Sequence, residues 1–190
     1  MIPRNLQWAF EEGRRVRTPG GTGRTKRCRL ADLVLPSGEL IMGYPGDGLV
    51  NEPNEVLPRV SPGVYPVWLN LAIHRHGRST VAFAAVRFAD AEIASWEEAG
   101  EFYTDSGDGC IFDATMMDLL RAKRAEMPLA EWRLLKASAL QAGDGNLVLD
   151  ESSGANAIVF QTCDWTYGCF VGRDSTGRIA CLVMDGRARA

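Results

Sequence analysis

The residues with the most obvious capacity for chemistry are carboxylates. The stretch Asp105-Ser106-Gly107-Asp108-Gly109-Cys110-Ile111-Phe112-Asp113 carries three of them within nine residues. Glycines at 107 and 109 permit tight turns, so Asp105 and Asp108 could converge on one hard cation through oxygen ligands. Close carboxylates also suit acid–base work when the pKa of one is raised. Asp164 supplies a further acid, giving a candidate catalytic set of Asp105, Asp108 and Asp164. The ligand order and terminal Glu of an EF-hand loop are absent. A plainer reading makes the stretch a strand-to-helix turn, in which the aspartates bond local amides and Asp113 caps the next helix.

Other residues offer narrower chemistry. Cys110 lies near the expected helix start, where backbone amides lower a thiol pKa, so a thiolate is one reading and a small buried hydrophobe the other. His74 and His76 are the only histidines. On a strand they would share a face and, with Asp105 or Asp108, could ligate a metal; at a hairpin tip they would form a polar exposed turn. Asp164-Trp165-Thr166-Tyr167-Gly168 combines an acid, two aromatics and a glycine, which suits either a ligand pocket or core packing. A binding surface is therefore expected from Asp105, Ser106, Gly107, Asp108, Trp165 and Tyr167. The glycine-rich run before Lys26 is not a phosphate loop: Thr18 stands where the first glycine belongs and Arg24 where the lysine does. No cofactor is expected.

The elements that must position these groups are mostly strands. Val64–His74 and Thr80–Phe88, joined by His76-Gly77-Arg78-Ser79, predict a β-hairpin. Gly168–Arg173 and Ile179–Met184 predict a second, with Gly177 in its turn. Ala157–Gln161 reads as a buried strand. Residues 5–12 suit a short helix capped by Asn5, and residues 18–25 a flexible loop. Helices are expected near 114–126, capped by Asp113, and near 129–142, opened by Pro128, with Leu129, Trp132, Leu135 and Ala139 at helical spacing. The expected class is α+β: a mainly antiparallel sheet, sandwich or open and barrel-like, with two helices.

The charge is uneven along the chain. The net charge is −3, yet residues 1–29 hold eight Arg or Lys against two Glu. Residues 1–29 are thus expected to form a basic, partly flexible segment ahead of one domain at 30–190. The acidic remainder disfavours extended contact with nucleic acid. Five cysteines with no C-x-x-C spacing fit neither a disulfide framework nor a structural zinc site. No signal peptide and no membrane span are expected, and a reducing cytoplasm is the expected address.

Several segments together carry a resemblance. They are Pro36-Ser37-Gly38-Glu39-Leu40, Val60-Ser61-Pro62-Gly63-Val64-Tyr65-Pro66-Val67, Val86-Arg87-Phe88 and Trp96-Glu97-Glu98-Ala99. After these come Asp105-Ser106-Gly107 with Gly109 and Asp113, Asn156-Ala157-Ile158-Val159-Phe160, Gly172-Arg173-Asp174 with Gly177, and Leu182-Val183-Met184-Asp185. In this order they resemble the mostly bacterial domain-of-unknown-function family 4241, over roughly residues 34–187. The resemblance implies no particular activity. It marks residues 105–107 and the stretch before Gly168 as distinctive surfaces. Where the family pattern has an acid before that glycine, this chain has Tyr167, which implies an impaired or purely binding member if that acid is catalytic in relatives.

The resulting expectation is a non-enzymatic binding protein of a bacterial cytoplasm, a toxin neutraliser or regulatory partner that engages another protein. The alternative is a small hydrolase or transferase using the aspartates, with or without a divalent metal.

Overall fold

The computed structural model describes residues 6–43, 58–104, 107–141, 144–163 and 165–189. Its strands are β1 (Arg15–Thr18), β2 (Gly21–Leu35), β3 (Leu40–Gly43), β4 (Gly63–His74), β5 (Ser79–Arg87), β6 (Ser95–Thr104), β7 (Asp108–Asp113), β8 (Asn146–Asp150), β9 (Ala155–Gln161), β10 (Trp165–Arg173) and β11 (Ile179–Asp185). Two helices, α1 (Met117–Glu126) and α2 (Leu129–Ser138), lie between β7 and β8. A seven-stranded sheet has the order β1-β2-β4-β5-β11-β10-β6, and a four-stranded sheet the order β3-β7-β9-β8. Pairings within both are antiparallel.

The main core lies between the sheets. Leu33, Leu35, Leu69, Val86 and Leu182 of the larger sheet meet Leu40, Met42, Ile111, Ile158 and Phe160 of the smaller one. Each sheet also buries its outer face. Leu6 and Ala9 of an N-terminal 3-10 turn, together with Ala188, cover Phe83 and Val183 on the larger sheet. On the smaller, Leu120 and Trp132 of the two helices cover Cys110, Phe112 and Val159. Such double burial explains why the central strands read as continuous apolar runs rather than alternating ones. The sheets do not close into a barrel.

Both expected hairpins are present, as β4–β5 and β10–β11, and Gly177 takes φ 84° in the second turn. The first helix begins as a 3-10 turn at Ala114–Met116, capped by Asp113, and the second ends at Ser138 with a 3-10 turn at Ala139–Gln141. Leu129 is exposed, unlike Trp132 and Ala139.

Two expectations need correction. Residues 18–25 are not a loop: Thr18 pairs with Gly21 around a Pro19-Gly20 turn, and the chain runs on as β2. Its residues are polar, which mimics a loop, but β2 is paired by β1 on one side and β4 on the other, and a side chain at Gly23 would collide with the Ile73 backbone. β2 runs on through residues 29 and 30, with a shift of its register against β4 between Arg29 and Asp32, so the basic residues from Arg15 to Arg29 belong to the sheet. Nor is the stretch ending at Asp113 an acidic loop. From Asp108 onward it is β7, flanked by β3 and β9 and buried throughout.

Candidate functional site

Strand β7 places its two acids at opposite ends and on opposite faces, five residues apart in a period of two. Asp108 faces the helices. Its Oδ2 accepts a 2.8 Å bond from Trp132 Nε1, and its Oδ1 accepts from Lys136 Nζ in an ion pair. Trp132 and Lys136 are one helical turn apart on α2, so a single face delivers both donors. Asp108 and Lys136 are both buried, and Arg124 stacks over the Trp132 ring at 4.9 Å. A carboxylate so engaged is a fastener between helix and sheet.

Asp113 is a second fastener. It accepts from Ser37 N (2.8 Å), Ser37 Oγ (2.7 Å), Gly38 N (3.2 Å), Thr115 N (3.0 Å) and Thr115 Oγ1 (2.6 Å). Burial pushes its carboxyl upward, but the bonds from Thr115 and Ser37 outweigh that and hold it below the usual carboxylate range. The sequence-based expectation of a cap is met, and the same group also closes the turn before β3.

Cys110 sits between these acids with no exposed surface. Burial pushes its thiol well above the ordinary value, so of the two readings the small buried hydrophobe holds and the thiolate does not: the 3-10 turn starts beyond Asp113, and its amides serve that carboxylate instead. Gly109 is glycine for packing, since a Cβ there would enter the Phe160 ring.

The remaining candidates are dispersed. Gly107 is buried, takes φ 65° and accepts a 2.8 Å bond from Thr162 N. Tyr167 is buried too; its hydroxyl donates to Cys163 O at 2.7 Å and accepts from Cys163 N at 2.9 Å, which makes it a corner brace rather than a surface contact. Asp105, Ser106 and Asp164, and the side chain of Trp165, lie outside the described residues. β4 ends at His74, so His76 falls in the exposed turn and the alternation that would align the two imidazoles does not apply. His74 Nδ1 donates to the Thr22 carbonyl at 3.1 Å, and Nε2 lies 3.0 Å from Thr80 Oγ1. Among the described residues no three His, Cys, Asp or Glu side chains gather as a metal-binding group.

Lys136 was not legible as a site residue. The available signal was its i, i+4 spacing from Trp132, whose indole N–H needs an acceptor when buried.

These features define a two-sheet α+β sandwich in which the described acids of β7 fasten the helices and a turn to the sheets. The chain belongs to the family described as a protein of unknown function (DUF4241), whose model matches residues 33–184. No curated protein and no solved structure matches it. No helix among the described residues is long and apolar enough to cross a membrane.

Proposed function

We propose that this protein works by binding rather than by catalysis, docking a basic partner protein along the acidic edge strand β6 in a bacterial cytoplasm. One observation carries the reading. Between Arg87 and Arg121 the sequence holds nine Asp or Glu and no Lys or Arg, and five of those acids fall at residues 90–101, on and just before β6. Among the described residues this strand forms one margin of the larger sheet and pairs only with β10. Glu98 and Glu101 are exposed on it, and Tyr103 is 62% exposed beside them. An aromatic next to carboxylates on an open strand suits a basic partner, with charge guiding encounter and the ring supplying contact area.

Edge strands invite unwanted pairing, and this one carries the usual protections: glutamates and a bulge opposite Cys169 and Phe170. A partner that supplies positive charge would meet the glutamates favourably; a second copy of β6 would not. A toxin neutraliser or a regulatory subunit would act in this way. Five cysteines without a disulfide support a reducing cytoplasm. The hydrolase or transferase alternative draws no support from Asp108, whose two oxygens are both engaged.

The test compares wild-type protein with Glu98→Lys/Glu101→Lys and with Tyr103→Ala as baits in native lysate, after circular dichroism shows that each is folded. The reading requires a stoichiometric basic protein that is retained by wild type and lost with the charge-reversed bait. Recovery of the same proteins by all three baits overturns it.

A further inference from the structure

The inner face of the larger sheet extends past the core. Leu69 and Leu71 of β4 belong to the inter-sheet core, and Ile73 continues their side of the strand outward at 36% exposure. Opposite Ile73 on β2 stands Arg24, and opposite Arg24 on β1 stands Arg15, both exposed. Directly opposed residues project to the same face, so two guanidinium groups share one strand pair, and like charges so placed repel.

A cleft of about 930 Å³ opens at this overhang, walled by Arg15, Arg24, Arg75 and His76, with His74 and the Gly20–Gly23 backbone behind them. A second cavity of about 490 Å³ adjoins it through Gly20, Ile73 and His74 and adds Arg78. No described residue lining either cavity is an acid. Arg24 gives one N–H to the Gly13 carbonyl at 2.9 Å, and the side chains of Arg15 and Arg75 have no ion-pair or hydrogen-bond partner among the described residues. Gly20 lets the imidazole close in, because a Cβ there would lie 3.2 Å from His74 Nε2 and run into the Thr80 methyl group.

We propose that this cleft binds a phosphorylated small molecule carrying at least two negative charges. Arg15, Arg24 and Arg75 take the anionic groups through charge-assisted hydrogen bonds, and bound phosphate relieves the Arg15–Arg24 repulsion. His74, with both ring nitrogens engaged, forms a fixed wall. Small-molecule sites enclose roughly 300–1,000 Å³, and this cleft has that capacity. An extended nucleic acid fits less well, because a phosphate backbone running beyond the overhang would meet a chain of net charge −3. The inference is independent of the partner reading, since β1 and β6 are opposite margins of the sheet.

Calorimetric titration of the full chain at low salt tests it, with orthophosphate, pyrophosphate and adenosine diphosphate as probes. Pyrophosphate and the nucleotide should bind one to one and more tightly than orthophosphate. Arg15→Gln/Arg75→Gln should weaken both by about tenfold or more, and Arg15→Gln alone should raise the melting temperature of the unliganded protein at low salt. Should the double variant not fold, Arg75→Gln with Arg78→Gln, both in the exposed turn region, replaces it. The proposal is overturned by absence of binding at millimolar probe, by affinity unchanged in the folded variants, or by duplex DNA binding that pyrophosphate does not displace.

Discussion

Lys136 and Asp108 form a buried ion pair that ties α2 to the first residue of β7, with Trp132 holding the second carboxylate oxygen. Removing one member of such a pair strands the other charge, which costs roughly 3–5 kcal/mol, whereas replacing both is far milder. Lys136→Met should therefore lower stability by about 3 kcal/mol. Asp108→Asn/Lys136→Met should recover a large part of that, because an asparagine oxygen still accepts from the indole. Urea unfolding of the three proteins checks the ordering.

Asp113 links stability to pH. Its folded carboxyl titrates below the ordinary value of 3.8, so its contribution is complete above that value and is lost as pH falls through the folded pKa. Asp174 has the same sign. Its carboxyl is held at about 2, first by the Thr176 hydroxyl. Asp113→Asn should cost about 2 kcal/mol at neutral pH, since its amide group faces donors that need an acceptor. The difference from wild type should narrow between pH 4 and pH 2, measured by thermal melting across that range.

Thiol reactivity should follow burial. Cys110 is enclosed and its thiol is pushed up, and Cys181 is pushed up to about 11 by burial. Cys163 is only half-buried. Brief iodoacetamide treatment of the native protein, read by peptide mass spectrometry, should label Cys163 first and leave Cys110 unmodified until the chain is unfolded.

Gly109→Ala should destabilise by about 1–3 kcal/mol, because the new methyl group forces the Phe160 ring from its place in the inter-sheet core. Chemical denaturation gives the number. The compensating Phe160→Leu change in the same chain should return part of it.

The parts of the fold legible in the sequence were those whose apolar runs and turn glycines agree. β4–β5 and β10–β11 have that character, as does β9. The strands that are not legible carry conflicting local signals. β2 is polar and glycine-rich because alternate residues face solvent; β6 is rich in glutamate because it is an edge; β7 opens with Asp-Gly and looks like a turn until its burial on both faces is known. Asp113 could be read as a cap because its partner Thr115 is local. The partner of Asp108 lies 28 residues away on another element, and no local pattern joins them.

The order in which strands are made differs sharply from the order in which they lie. β11 occupies the position between β5 and β10 and, among the described strands, alone joins the two portions of the larger sheet. Without β11 in place, the β4–β5 hairpin and the β6–β10 pair present two open edges, those of β5 and β10, to each other. Any partly folded chain in which β11 has not docked therefore exposes two strand edges that invite mispairing, and closure of the larger sheet waits for that strand.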